Sequence, residues 1–249
     1  MTDAVHPGLL PVPPPRLLPT VAARAAAVAL AMLAVLHLVV QVAEASTWAR
    51  ATQVCLMPLL AVTLWCAAPA PRSRLVRGVL VALGLSWLGD TVPAAFGGDA
   101  AFLVMVGFFL LAQVAYVAAF WPHRRESVVR RPVLLLPYAV AAVALVAACA
   151  PGAPGPLLAA VVVYGACLVV MAVLATGVHP LAGVGGAVFL TSDAMIALGA
   201  FTGWFAPPAS GFWVMLTYVA GQALLVAGVL ARSSSQVSGS GTGVKPARS

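Results

Sequence analysis

Residues 157–176 read LLAAVVVYGACLVVMAVLAT, twenty consecutive positions without a charge. At 1.5 Å of rise per residue, a helix of that length is about 30 Å long, the thickness of a bilayer's hydrocarbon core. Seven further apolar stretches of spanning length flank it, at 22–43, 51–68, 77–96, 100–121, 132–150, 182–203 and 211–231. Short separators carry the helix breakers: APAPRSR, FGGDA, WPHRRESVVRRP, APGAPGP, TGVHP and APPASG. Connections this tight make neighbouring helices antiparallel. The expected fold is all-α, a bundle of eight transmembrane helices.

Composition agrees. The chain has 249 residues, 63% hydrophobic and 8% charged, where a soluble domain runs nearer a quarter charged. The formal charge of +7 comes from 13 basic and 6 acidic residues. The basic residues sit between apolar runs with no aromatic interleaving, so they orient the protein in the bilayer rather than bind nucleic acid. With eight spans, one topology places twelve of the thirteen Lys and Arg on one side: Arg16, Arg24, Arg72, Arg74, Arg77, Arg124, Arg125, Arg130, Arg131, Arg232, Lys245 and Arg248. Arg50 alone falls opposite. The positive-inside rule makes the crowded side, and both termini, cytoplasmic. A multi-pass protein of the cell membrane is the expectation. Residues 1–20, rich in proline and without a signal-peptide pattern, read as a disordered lead. Residues 233–249, rich in Gly and Ser, read as a disordered tail, and 21–232 as the membrane domain. Four cysteines lie in apolar runs without CxxC spacing and read as buried, reduced and structural.

Two carboxylates do not fit a purely structural bundle. Asp90, in GLSWLGDTVPAAF, and Asp193, in GAVFLTSDAMIALGAF, lie within spans. A charge at the centre of a spanning helix costs about 2.5–3.5 kcal/mol even on lenient insertion scales, and such residues mark functional sites. Counted from the arginine-rich side, they lie roughly 19 and 16 Å deep. Gln113, Tyr164, Tyr218 and Gln222 fall between roughly 12 and 21 Å. Tyr218 and Gln222 share a helix face, as do Ser86 and Asp90. Gly89 and Ser192 precede the two aspartates and permit close helix approach. The pattern predicts an internal polar chamber walled by spans 3, 4, 6, 7 and 8. His37 stands alone on span 1 and reads as packing. No His/Cys/Asp/Glu cluster has metal-ligand spacing, and no GxSxG, HExxH or phosphate-binding glycine loop is present. Neither metal nor cofactor is expected.

The segments LSWLGD (85–90) and FLTSDAMIALGAF (189–201) resemble the signature segments of the YhhN family of membrane proteins, the lysoplasmalogenases. AYVAAF (115–120), VVYGACLVVMAVLA (162–175) and VMLTYVAGQALLVAG (214–228) are similar to that family in the same order. The resemblance implies an eight-helix hydrolase that cleaves the vinyl ether bond of a lysophospholipid, the lysoplasmalogen, to a fatty aldehyde and the glycerophospho-headgroup. It implies Asp90 and Asp193 as the catalytic acidic pair. Tyr116, Tyr218 and Gln222 match family positions, whereas Gln113 stands where members commonly carry histidine. Glutamine donates and accepts hydrogen bonds but exchanges no proton near pH 7. With Ser86, Tyr164 and Ser192, these side chains form the expected substrate site.

The chemistry suits paired carboxyl groups. A vinyl ether hydrolyses through protonation of an alkene carbon, giving an oxocarbenium ion that water traps. One carboxyl group sharing a proton with another supplies both acid and base. Intramembrane carboxylates also relay protons in carriers, a reading that broken helices at the aspartates would favour. A non-catalytic protein retaining the polar chamber is a third. Arg72, Arg74, Arg77, Arg124 and Arg125 read as orientation signals rather than as a phosphate site.

Overall fold

The computed structural model describes residues 17–241 except residue 154, and every regular element among them is helical. Eight long helices follow one another: α1 (Val21–Val42), α2 (Ser46–Ala67), α3 (Arg74–Thr91), α4 (Gly98–Phe120), α5 (Leu136–Cys149), α6 (Pro156–Ala175), α7 (Pro180–Phe201) and α8 (Ser210–Gly241). Each belongs to a segment long and apolar enough to cross a membrane. The starts are written locally. The hydroxyls of Thr20 and Ser73 accept the N–H groups of Ala23 and Val76, capping α1 and α3, and His179 Nδ1 accepts that of Leu181 at α7.

Prolines explain where the expected spans and the observed helices part. Pro93 ends α3 in a 3-10 turn over Val92–Ala95, and α5 is α-helical for only 14 residues. Pro132 and Pro137 start its expected span as a 3-10 segment, Pro132–Leu135, because a ring without an N–H suits a first turn and disrupts a later one. At the other end of the chain α8 overruns its expected limit, so 233–241 is helix rather than disordered tail. The hydroxyls of Ser233, Ser234 and Ser235 bond back to the carbonyls of Val229, Leu230 and Ala231, so this run of serines enters the helix with its hydroxyls paired. Residues 1–16 and 242–249, also assigned to the lead and tail, lie outside the described residues.

The helices α1, α2, α3, α4, α6 and α7 follow one another around α8, which packs on α7, α1, α2 and α3. Half of the most apolar window of α8 is buried, more than in any other span, so it is the hub. Its contact with α7 is backbone on backbone. A Cβ on Gly185 would stand 2.6 Å from the Leu225 nitrogen, and one on Gly221 2.8 Å from that of Phe189. Without hydrophobic drive between helices in lipid, such close packing is what holds them together. The exception to this tightness is α5, which lies outside against α6 and α7 with only Cys149 fully buried.

One joint sets the position of Asp90. Pro58 lies inside α2 and leaves the Val54 carbonyl without its helical donor. The Trp87 indole N–H donates to that oxygen at 2.9 Å, fastening α3 to α2 one turn before Asp90. Trp87→Phe strands the carbonyl, and its loss is expected to cost about 1–3 kcal/mol. Thermal unfolding in detergent measures this, and Pro58→Ala, which restores an N–H donor, should recover most of it.

The cysteines are all free, but Cys55 is exposed on α2, where burial was expected. A thiol is apolar enough to face lipid. His37 is fully buried, its Nδ1 2.8 Å from the Thr52 hydroxyl and its Nε2 3.4 Å from the Gln41 amide, which joins α1 to α2.

Candidate active site

Counting along the helices places three polar groups at one level. Tyr164 is eight residues from the start of α6, Tyr218 eight from the start of α8, and Asp193 eight from the end of α7. Each lies about 12 Å from the arginine-poor end of the bundle. Asp90 occupies the last turn of α3, within hydrogen-bond reach of Tyr218.

Both aspartates accept hydrogen bonds from tyrosines. Tyr218 donates to Asp90 Oδ2 at 2.8 Å, and Tyr164 donates to Asp193 Oδ2. Asp90 has a second donor, Gln53 Nε2 on α2, at 3.0 Å. Gln53 is absent from the sequence-based site. It lies near the start of its span and reads there as an end residue, although its polarity inside an apolar run was a visible signal.

A second tier lies beside the first. Tyr116 donates to Gln222 Oε1, and Gln222 Nε2 donates to Ser86 Oγ at 3.2 Å. All three are fully buried, so α4, α8 and α3 meet through satisfied polar groups rather than oil alone. Ser192 is buried too, but its hydroxyl donates to the Val214 carbonyl of α8, which makes it a packing contact. Gln113 is different. Its amide neighbours the Tyr164 hydroxyl and is completely buried, yet neither Oε1 nor Nε2 meets the geometry of a hydrogen bond.

Aromatic rings hold Tyr218 in place. Its ring packs edge-on against Phe109 and tilted against Phe189, with centroids 5.8 and 5.6 Å apart. A Cβ on Gly89 would come within 2.9 Å of the Phe109 ring, so the glycine of LSWLGD makes room for this brace.

The open space corrects the expected chamber. A narrow cavity of about 50 Å³ lies between α4, α5, α6 and α7, and Asp193 and Tyr164 supply polar groups to its otherwise apolar wall of Phe102, Met105, Phe109 and Leu168, among others. Asp90, Ser86, Gln113, Tyr116, Ser192, Tyr218 and Gln222 do not line it. Phe109, on the wall and against Tyr218, stands between the cavity and the Asp90 cluster. Spans 3 and 8 thus back the site instead of walling it, and α5 takes a place not foreseen.

At the arginine-rich end three of the cations are engaged with the protein. Arg72 lies over the Trp65 ring, 3.7 Å from its centroid, and Arg124 over Trp121 at 4.9 Å. Arg232 pairs with Glu126 at 2.6 Å.

The model of the YhhN family matches residues 48–229, from the start of α2 almost to the arginine that closes α8's apolar run. No curated protein and no solved structure matches the chain.

Proposed function

The chain belongs to the YhhN family, and from that premise we propose that it is an integral membrane hydrolase of the vinyl ether bond in lysoplasmalogens. One observation carries the reading: two intramembrane aspartates each accept a hydrogen bond from a tyrosine, and one of them lines a cavity. Buried carboxyl groups so arranged serve acid–base work.

The geometry divides the labour. Asp193 faces the cavity, and among the described residues no donor reaches its Oδ1. It delivers a proton to the alkene carbon one bond removed from the ether-bearing carbon. The electron pair of the double bond forms the new C–H bond, and the ether oxygen shares the resulting positive charge. Asp90, held by Tyr218 and Gln53, lends negative charge from behind the wall. Water adds to the cation and returns one proton to the carboxylate pair. The hemiacetal then splits into aldehyde and glycerol hydroxyl, so one water is consumed and the acid is regenerated. Neither metal nor cofactor enters this scheme. The lipid bilayer supplies the substrate, and the arginine-rich end faces the cytoplasm of a cell whose membrane holds the protein.

The carrier alternative draws on helices interrupted at the binding residues. Here α7 runs unbroken through Asp193, and α3 gives way to a 3-10 turn only after Asp90. These observations favour the hydrolase.

The decisive assay is aldehyde release from lysoplasmalogen by purified protein in detergent, with saturated lysophospholipid as control. Release from the vinyl ether alone is the expected result, and none from either would overturn the reading. Gln113 yields a second expectation. Its unpaired amide beside Tyr164 positions a polar group but relays no proton. Gln113→His is expected to raise the rate and add a titration near pH 6–7, visible in a pH–rate curve of both proteins.

A further inference from the structure

A second open region lies against the first. It occupies about 520 Å³ between α5 and the α6–α7 pair, and its wall is apolar and built largely of small residues, among them Ala142, Val162, Ala166 and Ala194. Leu145, Val161 and Gly165 line both this groove and the Asp193 cavity, so the two adjoin across these three residues. Taken together they present a carboxyl group at one end and hydrocarbon over the rest.

The outer wall of the groove is α5. Its middle is thinly covered, with Val143 69% exposed, while its flanks are fastened. Ahead of it, the Val128 N–H donates to the Thr176 hydroxyl of α6's end at 3.0 Å. Behind it, Gly152 lies so near the Phe201 carbonyl that a Cβ there would sit 2.0 Å from the oxygen. An apolar wall tied at its ends and loose between them opens sideways to lipid.

We infer that this groove is the binding site for the single hydrocarbon chain of a lysophospholipid, which enters from the bilayer between α5 and α6–α7; the inference rests on the hydrolase reading for its consequence in turnover. A polar carboxyl end and one apolar arm match an amphiphile with one chain. The chain gains little by exchanging lipid for an apolar groove, because lipid tails are as apolar as leucine. The groove therefore contributes orientation, aligning the bond at the chain's head with Asp193. A comparable groove of about 430 Å³ between α1, α2 and α8 has no carboxyl group on its wall and provides the internal comparison.

Gly165 is the point of attack. A Cβ there meets nothing within 4 Å, so a larger side chain fills the junction without colliding with the backbone. The experiment uses the full-length protein in detergent and lysophosphatidylcholine carrying a photoreactive diazirine near the end of a saturated chain. Labelled peptides located by mass spectrometry should fall on the α5, α6 and α7 residues of the groove and disappear with excess unlabelled lysophosphatidylcholine. Gly165→Leu should reduce that labelling about tenfold and lower the ratio of long-chain to short-chain vinyl ether turnover by about the same factor. Ala142→Leu, on the opposite wall, should shift both readouts the same way, and Ala31→Leu, in the α1–α8 groove, should leave the labelling unchanged. Labelling confined to the α1–α8 groove, or indifferent to Gly165→Leu and Ala142→Leu, would overturn the inference even if the protein cleaves vinyl ethers. The expected labelling without any vinyl ether cleavage would instead leave the groove standing and remove the hydrolase.

Discussion

Asp193→Asn is expected to reduce vinyl ether hydrolysis at least about a hundredfold, or roughly 2.7 kcal/mol of transition-state stabilisation. The amide keeps the size of the carboxyl group and still accepts the Tyr164 hydrogen bond, but it cannot give up and regain a proton. Asp90→Asn should cost a comparable factor by removing the negative charge behind the developing cation. Folding should survive both changes, since an amide is cheaper to bury than a carboxylate. Turnover of purified variants, alongside their thermal unfolding, separates the chemical loss from a structural one. Near wild-type turnover in Asp193→Asn would remove it from the role of acid.

The second large effect concerns the hub. Gly221→Val is expected to destabilise the protein by several kcal/mol, enough to prevent recovery of a monodisperse sample, because its Cβ would press on the Phe189 backbone nitrogen at 2.8 Å. Neighbouring backbone cannot yield as a flexible side chain does. Gly165→Ala is the control, since a methyl group there enters open space. Size-exclusion profiles and unfolding temperatures of the two variants should differ sharply although both replace a glycine in the middle of a helix.

Much of this architecture was legible from sequence because bilayer thickness imposes a length on every span, and uncharged runs of that length are hard to misread. The two aspartates were legible for the same reason, as were Tyr164 and Tyr218, which prove to be their hydrogen-bond donors. What stayed hidden depended on rotation about a helix axis. Depth follows from counting residues, but whether Asp90 or Asp193 faces the cavity depends on which side of each helix meets its neighbours. Gln53 stayed hidden because it lies at the edge of a span, where polar residues are ordinary. The role of Trp87 required knowing that Pro58, 29 residues earlier, frees a carbonyl within its reach. The span at 132–150 was legible as well, but hydropathy does not register that its first turn is 3-10 and that α5 begins only at Leu136, beside Pro137.

The central place of α8 has a temporal consequence. Ribosomes deliver a chain from its N-terminus, so α1, α2, α3 and α7 emerge before the helix on which they pack. Until then the growing chain possesses both aspartates, yet of the two side-chain donors that Asp90 has among the described residues it holds Gln53 alone, because Tyr218 has not been made. Gly185 likewise has no partner surface until Gly221 and Leu225 follow. Assembly of the site is thereby reserved for chains synthesised through their last span, and a chain arrested earlier would carry its acidic pair into the membrane without the part that completes it.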